Sequence, residues 1–221
     1  MAITYPRIGA RTRSARANTW WGKAWVRAVE ESAYGERELR QARAFARAGV
    51  VGGLTVEAGS FFAAVEDRDQ LWSPRIELPV LDSDQHRAFV EVIAARAGRI
   101  AALLAGGLPI DVVEEAEDSG VELLPYGGEF ESTCACDAWT PPCVHALAVL
   151  YQCTWLIDDD PCTLLHLRGL TRERLLADLH SREQPEPLDL EIAYDATLRA
   201  HRLLKEFDST PKVEWGRSHD V

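Results

Sequence analysis

Four side chains within twelve positions could hold a metal ion: Cys134, Cys136, Cys143 and His145, arranged as Cys-x-Cys, six residues, then Cys-x-His. Three thiolates and one imidazole are a donor set that structural zinc favours. Zinc is borderline-soft and makes no directional d-electron demand, so the chain can dictate the tetrahedron. Three thiolates on a dication leave a formal charge of about −1. The protein supplies all four donors, which leaves no open position for substrate and makes one structural Zn2+ the expected cofactor. A redox-active thiol pair is the alternative reading of the same cysteines.

The spacing constrains the elements that position these donors. Residues i and i+2 of an α-helix point roughly 200° apart, so neither pair can lie inside a regular helix and share one ion. Cys134 and Cys136 must sit on a turn or strand end, and Cys143 and His145 where the chain is just entering a helix. Pro141-Pro142 suits that entry, because proline stiffens the approach and is tolerated in a helix's first turn. The apolar run from Ala146 to Leu156 then predicts a buried helix that anchors the metal loop.

The motif resembles the SWIM-type zinc finger, whose signature is Cys-x-Cys, a variable spacer, then Cys-x-His. The flanks resemble bacterial, actinobacterial-type SWIM proteins: Trp20-Trp21-Gly22-Lys23-Ala24-Trp25, Ala42 to Gly49, Leu103 to Gly106, Val144 to Tyr151, Asp159-Asp160-Pro161 and Leu167-Arg168-Gly169. The matching pieces span about residues 20–180. Such proteins usually have Pro after the second Cys and Lys between the last Cys and the His, where this chain has Asp137 and Val144. Without that lysine the knuckle loses a candidate phosphate contact. The resemblance implies a role beside a Swi/Snf-type helicase-like ATPase in DNA or chromatin-like transactions, by contact with that protein or with DNA.

Composition narrows the class. The 221 residues are 47% hydrophobic, enough for a substantial core. No apolar run approaches the roughly 18–20 residues of a membrane span, and the arginine-bearing N-terminus lacks a signal peptide's apolar core. A cytoplasmic protein is expected. Five cysteines in such a chain argue against a disulfide framework and for a metal site plus two buried thiols, Cys153 and Cys162. The net charge of −11 is uneven: residues 1–50 carry ten basic and four acidic residues, +6, which leaves −17 for the rest. An acidic body repels nucleic acid and suits a protein partner, so any phosphate contact belongs to the basic N-terminal segment.

The chain reads as α+β, a small antiparallel sheet packed with helices, in four stretches: a flexible basic arm (1–18), an N-terminal α+β region (19–120), the zinc region with its following helices (121–180), and a linker with a C-terminal helix and tail (181–221). A helix from about Trp21 to Ser32 carries an aromatic stripe with Trp25. Residues Glu36–Ala48 fit a helix or a strand, and as a helix they align Arg40, Arg43 and Arg47 on one face. Those arginines, with Trp20, Trp21 and Lys23, are the candidate contacts for nucleic acid or a partner, against the plainer reading of solvated surface and a docked helix. Strands are expected at Val50–Val56, Phe61–Glu66 and Arg75–Val80, with Trp72 as a lid on the sheet. One long helix is expected from Asp84 to Ala105, and a short one from Pro109 to Asp118 whose acids are solvated. Val121–Leu124 and Glu129–Thr133 read as strands, Thr171 as the cap of a helix to Leu179, Ser181–Leu188 as a linker, and Tyr194–Phe207 as a last helix.

Enzyme readings find little support. Pro142-Cys143 is suggestive of zinc deaminases, but the second Cys and the upstream His-x-Glu are missing. No phosphate loop, dinucleotide fingerprint or nucleophile elbow occurs. His86, His166 and His180 are isolated, and His166 reads as a hydrogen-bonded interior residue. A non-catalytic interaction module without a small-molecule substrate or membrane association is therefore the leading expectation. An autonomous nucleic-acid-binding protein, or less favoured a zinc-dependent enzyme, is the alternative.

Overall fold

The computed structural model describes residues 2–11, 17–183 and 190–209. Residues 1–179 form one unit and 180–221 another. The first unit is mixed helix and antiparallel sheet, as the sequence predicts.

The chain opens with strand β1, Ile3–Tyr5. Part of the expected flexible arm is therefore sheet, because alternating Ile3 and Tyr5 find an edge to pair with. Helix α1, Trp20–Ser32, follows, with Thr19 at its N-cap. The Asp158 carboxylate accepts from the Asn18 and Thr19 amides and from the Thr19 hydroxyl. An acid there satisfies orphan donors and meets the positive end of the helix dipole. Burial pushes the Asp158 carboxyl up, but hydrogen bonds from Thr19 and Asn18 outweigh it and hold the group below its ordinary range. A Cβ on Gly22 would collide with that carboxylate.

Helix α2 is Glu36–Ala48, closed by Gly49 in the left-handed region. Its apolar positions Leu39, Ala42 and Ala46 are buried at helical spacing, so packing decides for helix where the sequence left two choices. Strands β2, Leu54–Glu57, and β3, Ser60–Phe62, form a hairpin turned at Gly59. The expected strand Phe61–Glu66 is split. After Phe62 the chain leaves the main sheet and forms a separate hairpin from β4, Val65–Asp67, and β5, Gln70–Trp72. Arg68 and Asp69 make its turn with φ of 50° and 63°, which suits the right-handed twist of a two-residue hairpin. Strand β6, Arg75–Glu77, returns to the main sheet.

The predicted long helix is two: α3, Ser83–Ala94, and α4, Ala97–Leu104. Arg96 is extended between them, and Arg99 turns inward. Its guanidinium donates to the Val92 carbonyl at 2.8 Å, near the open end of α3, and pairs with Asp111 at 2.8 Å and with Glu115. A buried cation thus finds an orphan carbonyl and two carboxylates. Asp111 and Glu115 lie on α5, Ile110–Asp118, so part of the acidic cluster read as solvated is engaged by Arg99.

Val121–Leu124 forms no strand. Val121 and Leu123 are buried, and the Leu123 carbonyl is satisfied by the Arg168 guanidinium at 3.0 Å instead of by a neighbouring strand. After a 3-10 turn, β7, Glu131–Thr133, pairs with β6. Among the described residues the main sheet is five-stranded and antiparallel, in the order β1-β2-β3-β6-β7. The expected boundary near residue 120 is thereby crossed by the sheet.

Helix α6, Val144–Asp159, is buried at twelve of its sixteen residues, so nearly every side faces protein. It ends at the acids that precede α7, Cys162–Leu167, where Asp160 accepts from the Cys162 amide. Cys153 and Cys162 are free, buried thiols, and burial raises both, Cys162 to about 12. His166 is interior as expected, yet neither ring nitrogen has a hydrogen-bond partner in the protein. Helix α8, Arg172–Glu183, runs into the expected linker, and Thr171 caps it by accepting from Arg174. Residues 184–189 and the tail from 210 lie outside the described residues. In the second unit, α9 is Leu190–Ser209, with Tyr194, Leu198, Leu203 and Leu204 exposed. No helix among the described residues is long and apolar enough to cross a membrane.

Arg168 is only 2% exposed and pairs with Glu129 at 3.1 Å while donating to the Leu123 and Pro79 carbonyls. Removing it strands a largely buried carboxylate and two carbonyls, so Arg168→Ala should cost about 3–5 kcal/mol in chemical denaturation. A loss within about 1 kcal/mol, the range of exposed ion pairs, would contradict this role.

Candidate metal centre

Strand β7 ends at Thr133, and its pairing with β6 delivers Cys134 and Cys136 at a strand end. Residues 137–142 form a loop whose Pro142 is buried. Cys143 is the N-cap of α6, its Sγ accepting from the Ala146 amide at 3.4 Å. His145 lies in the helix's first turn. A thiolate at an N-cap meets free amides and the positive end of the dipole, which favour its anionic form. This is the arrangement the spacing requires, a strand end and a helix entrance.

The four donor atoms all lie within 4.8 Å of one another. His145 Nδ1 is 3.9 Å from Cys134 Sγ and 4.0 Å from Cys143 Sγ. A tetrahedral zinc places sulfur and nitrogen roughly 3.6 Å apart, given Zn–S of about 2.3 Å and Zn–N of about 2.0–2.1 Å. The two sulfur–nitrogen pairs must close by a few tenths of an ångström. Zinc-bound sulfurs lie about 3.8 Å apart, so the widest separation in the set, up to 4.8 Å, must close by about 1 Å. The donor types and their convergence fit the metal. The site is a Cys3His centre for one structural zinc, with every coordination position filled by protein.

The imidazole is also held from outside the motif. Its plane is stacked with Phe45 of α2 (centroids 6.0 Å apart, 10° between planes) and with Trp72 of β5 (5.4 Å, 16°). Its Nε2 faces Asp67 Oδ2 at 3.4 Å. A cleft of about 360 Å³ beside the centre is bordered by Gln41, Arg68, Gln70 and Ala138. Trp72 is therefore a wall of the metal site and not a lid on the main sheet. No local sequence signal could have found Phe45, Asp67 or Trp72, because they precede the knuckle by more than sixty residues and meet it only through the fold.

The other predicted contact residues are dispersed. Arg40 and Arg47 are exposed on α2, and Lys23 on α1. Arg43 is half-buried, bound to Glu30 at 2.6 Å, Glu36 at 3.2 Å and the Tyr151 hydroxyl at 2.9 Å. Trp21 is buried, and its indole N–H donates to the Ile157 carbonyl at 2.8 Å. Half-buried Trp20 donates to the Leu108 carbonyl at 2.9 Å. Trp21 is thus core, and a stacking surface of paired tryptophans does not form, since apolar burial gains more than exposure of the ring.

Residues 116–153 match the SWIM zinc finger family. The chain is 34% identical over 170 residues to the uncharacterized protein Rv2102 of Mycobacterium tuberculosis, an alignment covering 76% of this chain and 61% of that one. It thus spans about three fifths of the length of the relative it matches. No solved structure matches it significantly.

Without metal, burial pushes the Cys143 thiol up to about 12 and raises Cys134 as well. Those thiols are protonated at pH 7 and must ionise to bind, so zinc uptake should release about two protons from them and weaken as pH falls. Calorimetry in buffers of different ionisation enthalpy measures the release, and proton-neutral uptake would contradict it. Cys136→Ser should lose zinc and raise amide exchange over residues 143–150. Unchanged zinc content would remove Cys136 from the donor set.

Proposed function

We propose, from the premise that this chain carries a SWIM zinc finger, that it is a non-catalytic protein-interaction module acting beside a Swi/Snf-type helicase-like ATPase in DNA transactions in the cytoplasm. The observation that carries this reading is the closed donor set. Three sulfurs and one ring nitrogen converge within 4.8 Å, and a tetrahedral zinc so ligated has no position left for water or substrate.

Two further features support a protein partner over nucleic acid. Trp139, in the loop between the two ligand pairs, is 96% exposed, and an exposed tryptophan is the residue type that dominates binding energy at protein interfaces. The basic face of α2 is diminished, because Arg43 is engaged by Glu30 and Glu36, and the body of the chain is acidic. The exposed Arg40, Arg47 and Lys23 favour the second reading, direct binding of DNA.

Affinity purification of the full chain from its host, followed by mass spectrometry, tests the proposal. The helicase-like ATPase should co-purify with the wild type, and Trp139→Ala should lose it while keeping one zinc per chain. Equal recovery with Trp139→Ala would discard that contact, and absence of any such ATPase would discard the partner. Duplex-DNA affinity against salt decides the second reading. Each phosphate contact adds about −0.9 to the log–log slope, so a slope near zero supports protein binding and a steep one supports DNA.

A further inference from the structure

Residues 116–153, the stretch that matches the zinc-finger family, contain all four donors. They do not contain what orients the histidine. Stacking with Phe45 and with Trp72 fixes the plane of the His145 ring but not which edge faces the sulfurs. A half-turn about the Cβ–Cγ bond keeps the ring in that plane and swaps Nδ1 for a carbon. Nor does stacking decide which nitrogen carries the proton of the neutral ring.

Asp67 can decide both. Its Oδ2 lies 3.4 Å from His145 Nε2, across 78 residues of sequence, on the β4–β5 hairpin that also supplies Trp72. An ionised carboxylate only accepts hydrogen bonds, so Nε2 must bring the proton to meet it. Nδ1 is then left with its lone pair, and it is Nδ1 that faces Cys134 and Cys143 at 3.9 and 4.0 Å. After a half-turn, Nε2 would no longer meet the carboxylate. We infer that Asp67 is the positioning residue of the zinc centre, holding His145 in the orientation and tautomer that present Nδ1 to the metal. The finger is thereby completed by a hairpin far upstream of its own motif. The carboxylate also makes the ring a stronger donor, as partners of metal-bound histidines do.

This inference rests on the zinc reading of the four-donor site, and its test separates the two. Zinc affinity of the full chain is measured by competition with a chromophoric chelator for wild type, Asp67→Ala and Asp67→Asn. Long-range 15N–1H NMR of the zinc-loaded wild type reports the His145 tautomer and needs no variant to fold. The expected results are one zinc per wild-type chain, a proton on Nε2 and the metal on Nδ1. Asp67→Ala should weaken zinc binding about 10–100-fold, and Asp67→Asn, whose amide oxygen still accepts, should recover most of that loss. A wild-type chain that holds zinc through Nε2, or an Asp67→Ala chain that binds zinc as tightly as wild type, overturns the positioning role alone. A wild-type chain that takes up no zinc overturns the metal reading together with it.

Discussion

Helix α6 has almost no face for solvent, and a helix buried on every side cannot be placed by amphipathicity alone, because rotation about its axis exchanges one apolar face for another. Its position has to be set by specific polar contacts. At the N-terminal end, Cys143 and His145 converge with Cys134 and Cys136 from the end of β7, so a zinc ion held by the four would tie the helix to the edge of the sheet. At the other end, Asp158 accepts from the residues that open α1. Between the ends, the Tyr151 hydroxyl accepts from Arg43 and Gln152 donates to the Ala46 carbonyl, both of α2, so polar contacts along its length fix the rotation and depth of α6.

Polar side chains solve the same kind of problem elsewhere. Arg99 fills the break between α3 and α4, and Arg168 stitches residues 123, 129 and 79 together where no strand does so. Each guanidinium replaces several backbone or water hydrogen bonds at once, since its five donors are held in a fixed fork. These are the places where an expectation built on continuous helices and strands departs from the structure. An apolar pattern reports which face is buried. It does not report that an arginine five residues further on will turn inward and end the helix.

The metal centre separates into an inner and an outer part. The inner part is local: four donors within twelve residues, whose spacing excludes a regular helix interior and demands a strand end and a helix entrance. The outer part comes from three residues on two distant elements, Phe45 on one helix and Asp67 and Trp72 on one hairpin. Asp67 and Trp72 meet the histidine because the chain leaves the main sheet after Phe62 and folds back as a separate hairpin.

The sequence alone discloses the donor set, the element types flanking it, the buried helix after it, the two spare thiols and an α+β class, because each depends on neighbours within a few residues. Only the tertiary structure decides that Glu36–Ala48 is a helix, that the helix after Ser83 breaks at Arg96, that Trp21 is core and that Arg43 is occupied by acids. The physical reason is the same each time. Propensity and periodicity differ between alternatives by a few tenths to about one kcal/mol per residue, whereas burying an aromatic ring, or pairing a cation inside the protein, changes the balance by several. Such terms depend on residues dozens of positions away.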